Sequence, residues 1–368
     1  MATEITLGVD IGGANLKYAD TTGRTRSVEF PLWLKPDDLA VQLASDLQSF
    51  HDVNHIAATM TGELADCFLD RAIGVDHIVD QLCRASRKRG LPEPNFYGVD
   101  GRFHSAQSAR QNVDEIAASN WHALASFVAD EFKSRIPDGG LLVDIGSTTS
   151  DLVPLRGGSV LTNSRTDFDR LAEGSLVYLG GDRTPVCALV HALRYRNQDV
   201  PVMREVFATM QDVRLLIGFV DADASDCRTA DGKPRDAFHA RNRIARMIGL
   251  DHRSVTMDEA KMLANQVHDV ARAMIGNTLD RLKNTYGLAA TSPIILSGHC
   301  GDLLPVGGEC QVVSLVECFG VDVSRSAPAY AVARLLMQRG RAFGRATHHA
   351  RDPRQITRTK AVERKYLI

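Results

Sequence analysis

The chain has 368 residues, a hydrophobic fraction of 44% and a formal net charge of -2 at pH 7. This length exceeds what one compact core usually holds, so we expect two domains. The nearly balanced charge argues against a nucleic-acid or anionic-membrane surface spread over the whole molecule. The apolar pattern predicts neither a signal peptide nor a membrane span, which favours a cytoplasmic protein.

Cysteine usage favours a reducing compartment. The chain has seven cysteines, an odd number, and no Cys-x-x-Cys pair occurs among them. We therefore expect free and mostly buried thiols rather than disulfides. Nothing in the sequence around them indicates the lowered thiol pKa that a cysteine nucleophile needs.

The first half of the chain alternates strand and helix signals. Apolar runs broken by turn residues predict a three-strand meander at the start, and Pro36 predicts the first turn of a helix with leucines on one face. The elements predicted in this half are strands at 5–10, 15–20 and 24–30, a helix at 36–50, a strand at 55–59 and helices at 75–89 and 120–133.

The second half repeats the plan of the first, which is typical of a duplicated fold. It opens with a strand, an acidic-glycine turn and a strand. Later elements are predicted as helices at 236–248 and 256–283, strands at 293–296 and 311–316, and a last helix from Pro328 to about Gln338. The helix at Thr256 begins with a capping box. Residues 344–368 are rich in Arg and Lys and could contact a polyanionic substrate or partner. A tail that is solvated or lies on a second subunit is favoured, so a homo-oligomer stays open.

Two short segments carry the strongest functional signal. Each ends an apolar run with an aspartate followed by glycine: Asp10-Ile-Gly-Gly-Ala-Asn15 and Asp144-Ile-Gly-Ser-Thr-Thr149. Apolar residues also follow each segment, so each is expected to be the turn of a β-hairpin, unlike the strand-turn-helix context of a dinucleotide fingerprint. A plain hairpin turn explains either segment alone. Their equivalent places in two halves favour a phosphate or nucleotide cleft between the domains.

The residue types in these turns suit a metal-bound phosphate chain. Glycine lets a phosphate approach the backbone, and successive N–H groups form an anion-binding concavity. Asp10 and Asp144 would lie beside phosphate oxygens, which is favourable when a magnesium ion, held largely through waters, lies between them. The predicted phosphate-binding residues are Gly12, Gly13, Asn15, Lys17, Gly146, Ser147, Thr148 and Thr149.

Further candidates lie on loops. The loop after the strand at 55–59 carries Glu63 and Asp66, which with Asp144 are the candidate catalytic carboxylates; helix capping is the alternative for the first two. The loop that begins with Ser297 and Gly298 is nucleotide-like, although the bulky His299 follows where a nucleotide-binding loop favours glycine. Residues expected to contact substrate, or to form surface ion pairs, are Arg165, Asp167, Arg183 and Thr184.

The paired turns in their hairpin context and the Ser297-Gly298 loop resemble the actin-like ATPase and sugar kinase superfamily. Within it the chain is similar to the hydantoinase A and oxoprolinase-like branch. In this branch, the chain resembles a family of tetrahydromethanopterin-linked one-carbon-transfer pathway proteins. The archaeal members of that family are methanofuran-biosynthesis condensing enzymes. The resemblance runs from the first strand to about residue 339, and four stretches carry it: Asp10-Ile-Gly-Gly-Ala-Asn-Leu-Lys17, Met60-Thr-Gly-Glu-Leu-Ala-Asp-Cys67, Asp144-Ile-Gly-Ser-Thr-Thr-Ser-Asp151 and Thr229-Ala-Asp-Gly-Lys-Pro-Arg235.

This resemblance implies a fold and a reaction. The fold would be α/β, of the duplicated actin-like ATPase (ribonuclease H-like) type, with domains at 1–138 and 139–343 around a cleft and the basic tail at 344–368. The reaction would join an aminomethyl-furan-methyl diphosphate to the phenol oxygen of a tyramine-type amine, releasing pyrophosphate. Glu63 or Asp66 would accept the phenol proton, and Mg²⁺, the turns and Lys17 would neutralise the pyrophosphate.

Two other functions stay open on the sequence. If the chain keeps the ATP-dependent chemistry of the superfamily, it is a kinase or an amidohydrolase that binds ATP in the cleft. A nucleotide-dependent scaffold without catalysis is the third hypothesis.

Overall fold

The computed structural model describes residues 4–305 and 310–349. Two mixed β-sheets and one small hairpin form there, with helices covering the sheets. The expected α/β class is confirmed. Of the helices in the described ranges, none combines the length and the apolar character that crossing a membrane requires.

The first sheet comes from the first third of the chain. The elements of this part are β1 (Thr6–Ile11), β2 (Asn15–Asp20), β3 (Thr25–Glu29), α1 (Leu39–Leu47), β4 (His55–Met60), α2 (Arg71–Lys88), β5 (Pro94–Tyr97), β6 (Phe103–His104), α3 (Ala106–Gln111), α4 (Val113–Ile116) and α5 (Asn120–Glu131). The strand order is β3-β2-β1-β4-β5-β6. The antiparallel meander β1–β3 is the one that the turn residues predict, and β4 and β5 add in parallel on the other side of β1.

The second sheet is built from the rest of the chain. The elements here are β7 (Gly140–Ile145), β8 (Ser150–Arg156), β9 (Ser159–Val160), α6 (Asp167–Glu173), β10 (Leu176–Val177), α7 (Val186–Leu189), β11 (Ala192–Tyr195), β12 (Gln198–Pro201), α8 (Met210–Leu216), α9 (Ala237–Arg246), α10 (Met257–Thr285), β13 (Ile294–Gly298), β14 (Val312–Ser314), α11 (Leu315–Phe319), α12 (Val321–Arg325) and α13 (Ala327–His349). The strand order is β10-β8-β7-β13-β14, with β9 paired to β8.

The two sheets share one plan. In each, a hairpin is followed on one side by two parallel strands, β4 and β5 in the first sheet and β13 and β14 in the second. The register is also equivalent, because Asp10 is opposite Thr59 and Asp144 is opposite Ser297. The expected duplication is therefore confirmed, and the two acidic-glycine turns occupy equivalent places.

Helices α5 and α13 lie between the two sheets. The final helix contacts β1, β2, β4 and α5, and α5 also contacts β8. Their side chains, among them Trp121 and Ala329, share a core with Leu142 and Val153 of the second sheet. The outer faces are covered by α1 and α2 on the first sheet and by α8, α9 and α10 on the second. The last helix thus packs on the first sheet, although it follows the second in sequence; the domain division at 138/139 stays a prediction.

Close packing of α13 on β1 depends on Gly8. A Cβ atom at this position would lie 1.8 Å from the backbone oxygen of Ala329. We expect Gly8→Ala to lower the free energy of unfolding, measured by urea denaturation, by about 2–3 kcal/mol, because neither main chain can move aside. Gly340→Ala on the same helix, where a Cβ would meet nothing within 4 Å, should leave stability unchanged or raise it by up to about 1 kcal/mol. Equal effects of the two substitutions would contradict this packing.

Several predicted element ends differ from the structure. The predicted strand at 311–316 is too long, because its last two apolar residues belong to α11. Helix α2 begins earlier than expected, at Arg71, because the Asp70 side chain accepts a hydrogen bond from the backbone N–H of Ile73 at 2.9 Å and caps the helix. Helix α13 extends to His349 and includes the first residues of the predicted tail; the remainder, 350–368, lies outside the described residues.

The cysteines are free, as expected, but most are not buried. Cys83 and Cys300 are buried, whereas Cys227 and Cys318 are exposed and the others are half-buried. The expectation of mostly buried thiols was therefore wrong. Of the two exposed cysteines, Cys227 lies in the loop between α8 and α9, and Cys318 lies in α11.

Candidate functional site

The first acidic-glycine turn closes the β1–β2 hairpin. The N–H of Gly12 donates to the backbone oxygen of Asn15 at 3.0 Å. Among the described residues, the N–H groups of Gly13 and Ala14 donate no hydrogen bond, and both residues are half-buried. The turn therefore presents successive main-chain donors that an anion can accept from.

The second turn has the same geometry. The N–H of Gly146 donates to the backbone oxygen of Thr149 at 3.0 Å, as Gly12 does in the first turn. Within the described part of the chain, the N–H groups of Ser147 and Thr148 likewise have no acceptor. A neighbouring segment braces this turn, because the N–H groups of Asp182 and Arg183 donate to the backbone oxygen of Ser147 at 3.1 and 2.9 Å.

The acidic residues of the two turns are close enough for one charge to affect the other. Burial raises the pKa of Asp10 to about 6; the charge of Lys17 opposes this shift and the charge of Asp144 adds to it. Burial also raises the pKa of Asp144, with Asp151 adding to the shift, while Lys17 again opposes it. Lys17 lies opposite Asp10 across the hairpin. One ammonium group therefore acts on both carboxylates, and the two turns meet at one place.

These carboxylates fit a divalent cation. Asp10 is 5% exposed, and its Oδ1 atom is buried without a hydrogen-bond partner among the described residues. An unpaired buried carboxylate oxygen is costly, and carboxylate oxygens are the ligands that Mg²⁺ prefers. Burial is the largest cause of the raised pKa of both Asp10 and Asp144, and a bound cation would favour their ionised forms. Asp10 and Asp144 are therefore the residues that we propose as ligands of Mg²⁺.

A second group of charges continues from Asp144. Asp151 lies opposite Asp144 in the β7–β8 hairpin, where the first turn has lysine. Its carboxylate pairs with Arg170, which is buried and also lies 3.5 Å from an oxygen of Asp167. The Arg170 guanidinium lies 4.2 Å from the ring centroid of Trp121 on α5. The charged groups beside the second turn therefore continue toward the helix between the sheets.

Glu63 lies close enough to Asp167 for the charge of that residue to act on it. It is 1% exposed, and its Oε2 atom has no hydrogen-bond partner within the described residues. Burial raises the pKa of Glu63 to about 7; backbone amides oppose this shift and the charge of Asp167 adds to it. Asp66, by contrast, is exposed on the same loop. Of the two candidate bases, the geometry favours Glu63.

The end of β13 lies against the second turn. Ser297 is in register with Asp144 and is buried. Gly298 has a φ of +85°, and a Cβ there would lie 2.2 Å from the backbone oxygen of Ile145. Glycine is required at this position because the strand passes so close to β7. Both residues therefore border the second turn, and no described contact shows a nucleotide site at them.

Sequence reasoning missed a third group, formed by Asp182, Arg214 and Asp302. The buried Arg214 guanidinium lies 2.9 Å from an oxygen of Asp302 and 3.2 Å from an oxygen of Asp182. Together with His299 and Cys300, Asp182 brings potential metal ligands within 4.8 Å of one another. Arg214 already supplies the cation there, and burial raises the pKa of Cys300 to about 12, so this group does not fit a metal centre.

Further side-chain contacts join the two halves of the chain. Arg165 pairs with Glu115 at 2.6 Å, and Arg183 lies 5.7 Å from the ring centroid of Trp33. Arg228, directly before the Thr229–Arg235 stretch, pairs with Glu29. Arg165 and Arg183 are thus occupied in bridging the halves. The remaining candidate, Thr184, is buried and its hydroxyl accepts from the N–H of Gly180, a structural role.

Known proteins are similar to this chain in sequence or in fold. A family model described as Hydantoinase/oxoprolinase matches residues 54–339. A relative from Methanocaldococcus jannaschii, named (4-{4-[2-(gamma-L-glutamylamino)ethyl]phenoxymethyl}furan-2-yl)methanamine synthase, is 33% identical over 338 residues, covering 90% of this chain and 97% of the relative. A protein of the same name from Methanococcus vannielii is 29% identical over 214 residues, 56% of this chain and 95% of its own length.

Among solved structures, nucleotide-free acetone carboxylase has a TM-score of 0.51 at 10% sequence identity, over 89% of this chain and 70% of that one. At this identity the likeness shows the fold alone. The sequence matches go further, because the family model spans most of the chain and the archaeal relative is similar along nearly its whole length. The chain belongs to the hydantoinase/oxoprolinase family.

Proposed function

We propose that this protein is a transferase of methanofuran-type cofactor biosynthesis. It joins the phenol oxygen of a tyramine-type amine to the methyl carbon of an aminomethyl-furan-methyl diphosphate, and pyrophosphate leaves. The observation that carries the proposal is the similarity, over 90% of the chain, to a synthase whose name describes a phenoxymethyl-furan amine. The two facing turns support diphosphate as the leaving group.

The cleft is suited to a departing diphosphate. As the bond between the furan-methyl carbon and the bridging oxygen breaks, negative charge accumulates on the diphosphate. The free N–H groups of Gly13, Ala14, Ser147 and Thr148 and the ammonium of Lys17 supply donors at one place. Donors fixed before the reaction stabilise developing charge without reorganising. Mg²⁺ held by Asp10 and Asp144 would, when bound, supply Lewis-acid stabilisation of the same charge.

The phenol needs a base. A phenol has a pKa near 10 and is a poor nucleophile at neutral pH. Glu63, with its pKa raised to about 7, is well matched to accept a proton near neutral pH. The phenol proton moves to the Glu63 carboxylate while the oxygen electron pair forms the bond to the furan-methyl carbon. The carbon–oxygen bond to the diphosphate breaks, and its electron pair leaves with pyrophosphate.

The reaction can be tested with purified protein, Mg²⁺, a synthetic furan-methyl diphosphate and γ-glutamyl-tyramine. We expect equal amounts of pyrophosphate and of the ether, identified by mass spectrometry, without ATP. Omission of the phenol should reduce pyrophosphate release to slow hydrolysis. ADP formation on addition of ATP, with no ether, would support a kinase or amidohydrolase instead. Nucleotide binding without any turnover would support the scaffold.

A further inference from the structure

Two neighbouring loops brace equivalent main-chain oxygens of the two turns. In the first turn, the backbone oxygen of Gly13 accepts from the N–H of Leu32 at 2.9 Å. In the second turn, the backbone oxygen of Ser147 accepts from the N–H of Arg183 at 2.9 Å. Gly13 and Ser147 each stand three residues after the aspartate of their turn. Arg183 and Trp33, which follows Leu32, therefore belong to segments fixed at corresponding points of the two turns.

The side chains of Trp33 and Arg183 meet. The guanidinium carbon of Arg183 lies 5.7 Å from the centroid of the Trp33 ring. The contact joins one residue of the first half to one of the second, and each belongs to a segment that hydrogen-bonds to a turn. A ligand held by both turns would therefore have this pair beside it.

Arg183 bridges the halves without using its hydrogen-bond donors. A cation beside an aromatic ring is attracted to the π electrons and needs no oxygen acceptor. Arg183 is exposed, and no oxygen of the described residues accepts from its guanidinium. The arginines Arg170 and Arg214 of the same half are instead buried in ion pairs. The N–H groups of Arg183 are thus available to an anion, and their fork suits the oxygens of a phosphate.

Trp33 offers an aromatic surface next to the proposed base. It is 38% exposed, and Leu64 is exposed as well. The loop of Trp33 packs on the loop of Glu63 and Leu64, because a Cβ on Gly62 would lie only 2.7 Å from the side chain of Leu32. Through Leu32, this loop contacts both the first turn and the loop of the base. An exposed indole in this place can pack against an aromatic ring of a ligand.

We propose that Trp33 and Arg183 together bind the furan-methyl diphosphate, the indole packing on the furan ring and the guanidinium donating N–H groups to a diphosphate oxygen. This inference rests on the proposed function, since it assigns the two parts of that substrate. The reacting carbon joins the ring to the diphosphate. Two side chains in mutual contact, one for each part, therefore orient this carbon. A diphosphate without a ring contacts Arg183 alone.

The test is calorimetric titration of the full protein with Mg²⁺ and no phenol, using synthetic furan-methyl diphosphate and pyrophosphate as two probes. Each variant is compared with wild type for the same probe. We expect Trp33→Leu to weaken binding of the furan-methyl diphosphate about fivefold, the scale of one aromatic pair, and to leave pyrophosphate affinity unchanged. Trp33→Phe, which keeps an aromatic ring, should bind both probes as wild type does.

Arg183→Gln should bind both probes more weakly, by about tenfold to a hundredfold, the scale of a hydrogen bond to a charged group. Arg135→Gln is the matched control. Arg135 is also exposed and lies 5.6 Å from the ring centroid of Phe132, but it precedes β7, whereas the second turn follows that strand. This control should match wild type with both probes.

A pair that only holds the halves together could not distinguish the two probes. Equal losses for both in Trp33→Leu would therefore overturn the contact with the ring, and wild-type pyrophosphate affinity in Arg183→Gln would overturn the contact with phosphate. Binding needs no turnover, so the two proposals fail separately. The expected losses in a protein that forms no ether would overturn only the reaction, and ether formation with either contrary result only this inference.

Discussion

Replacement of Asp144 by Asn is expected to slow Mg²⁺-dependent pyrophosphate release by on the order of a thousandfold, and Asp10→Asn should have a similar effect. Each substitution removes a carboxylate charge from the centre where the turns meet, and electrostatic stabilisation of this kind is often the largest contribution to catalysis. The measurement is the initial rate of pyrophosphate formation at saturating Mg²⁺. Asp138→Asn, at an exposed aspartate before the same strand, should retain the wild-type rate.

The same variants separate a metal role from a structural one. Because Mg²⁺ binds only the folded protein, it should raise the melting temperature of wild type and not of Asp10→Asn or Asp144→Asn. In the absence of Mg²⁺, both variants should have a melting temperature equal to or above that of wild type. Each substitution removes a buried carboxylate whose pKa is raised. An unchanged rate of pyrophosphate release in either variant would contradict the assigned role.

Glu63→Gln is expected to lower kcat by about a hundredfold to a thousandfold, the scale of general-base catalysis, while the KM for the diphosphate changes little. In wild type the rate should rise with pH through the pKa of Glu63, about 7, and then level off. The glutamine variant should lack this dependence. Rates are measured from pH 5.5 to pH 9, and a variant that keeps the same rise would show that another group accepts the phenol proton.

Glu63 should also affect stability in a pH-dependent way. Its pKa is 4.5 in ordinary surroundings and about 7 here, so the folded state binds the proton more tightly than the unfolded state. Wild-type stability should therefore fall as pH rises from about 4.5 to 7 and then stay low. Above pH 7, Glu63→Gln should raise the metal-free free energy of unfolding by about 3 kcal/mol, since one pKa unit corresponds to about 1.4 kcal/mol. Asp66→Asn, on the exposed part of the loop, should leave the free energy of unfolding unchanged.

The turns and the strands around them could be predicted because their signals are local. An aspartate at the end of an apolar run, glycine after it and a second apolar run are sufficient to indicate a hairpin with a polar tip. The equivalence of Asp10 and Asp144 could be inferred from the repeated pattern. The end of β14 was not predictable in the same way, since a short apolar run such as Leu315-Val316 suits a strand and a helix equally.

The rest of the site depends on contacts between distant residues. Asp182, Arg214 and Asp302 come together only through the packing of loops on the second sheet. The available signal was Gly180-Gly181 before Asp182: a Cβ on Gly180 would lie 2.4 Å from the backbone of Ser147. Two glycines followed by an aspartate therefore indicate a loop that packs closely against the second turn. Choosing between Glu63 and Asp66 likewise requires knowing how deeply each side chain is buried. The sequence of one short loop does not reveal this.

In the proposed reaction, the two acidic-glycine turns hold a metal-bound diphosphate between them. A crystal structure with pyrophosphate and Mn²⁺, whose anomalous scattering locates the ion, tests it most directly. The ion is expected between the carboxylates of Asp10 and Asp144, with phosphate oxygens bonded to the main-chain N–H groups of residues 13–14 and 147–148. Pyrophosphate bound away from these turns, or bound there with the ion elsewhere, would contradict the account.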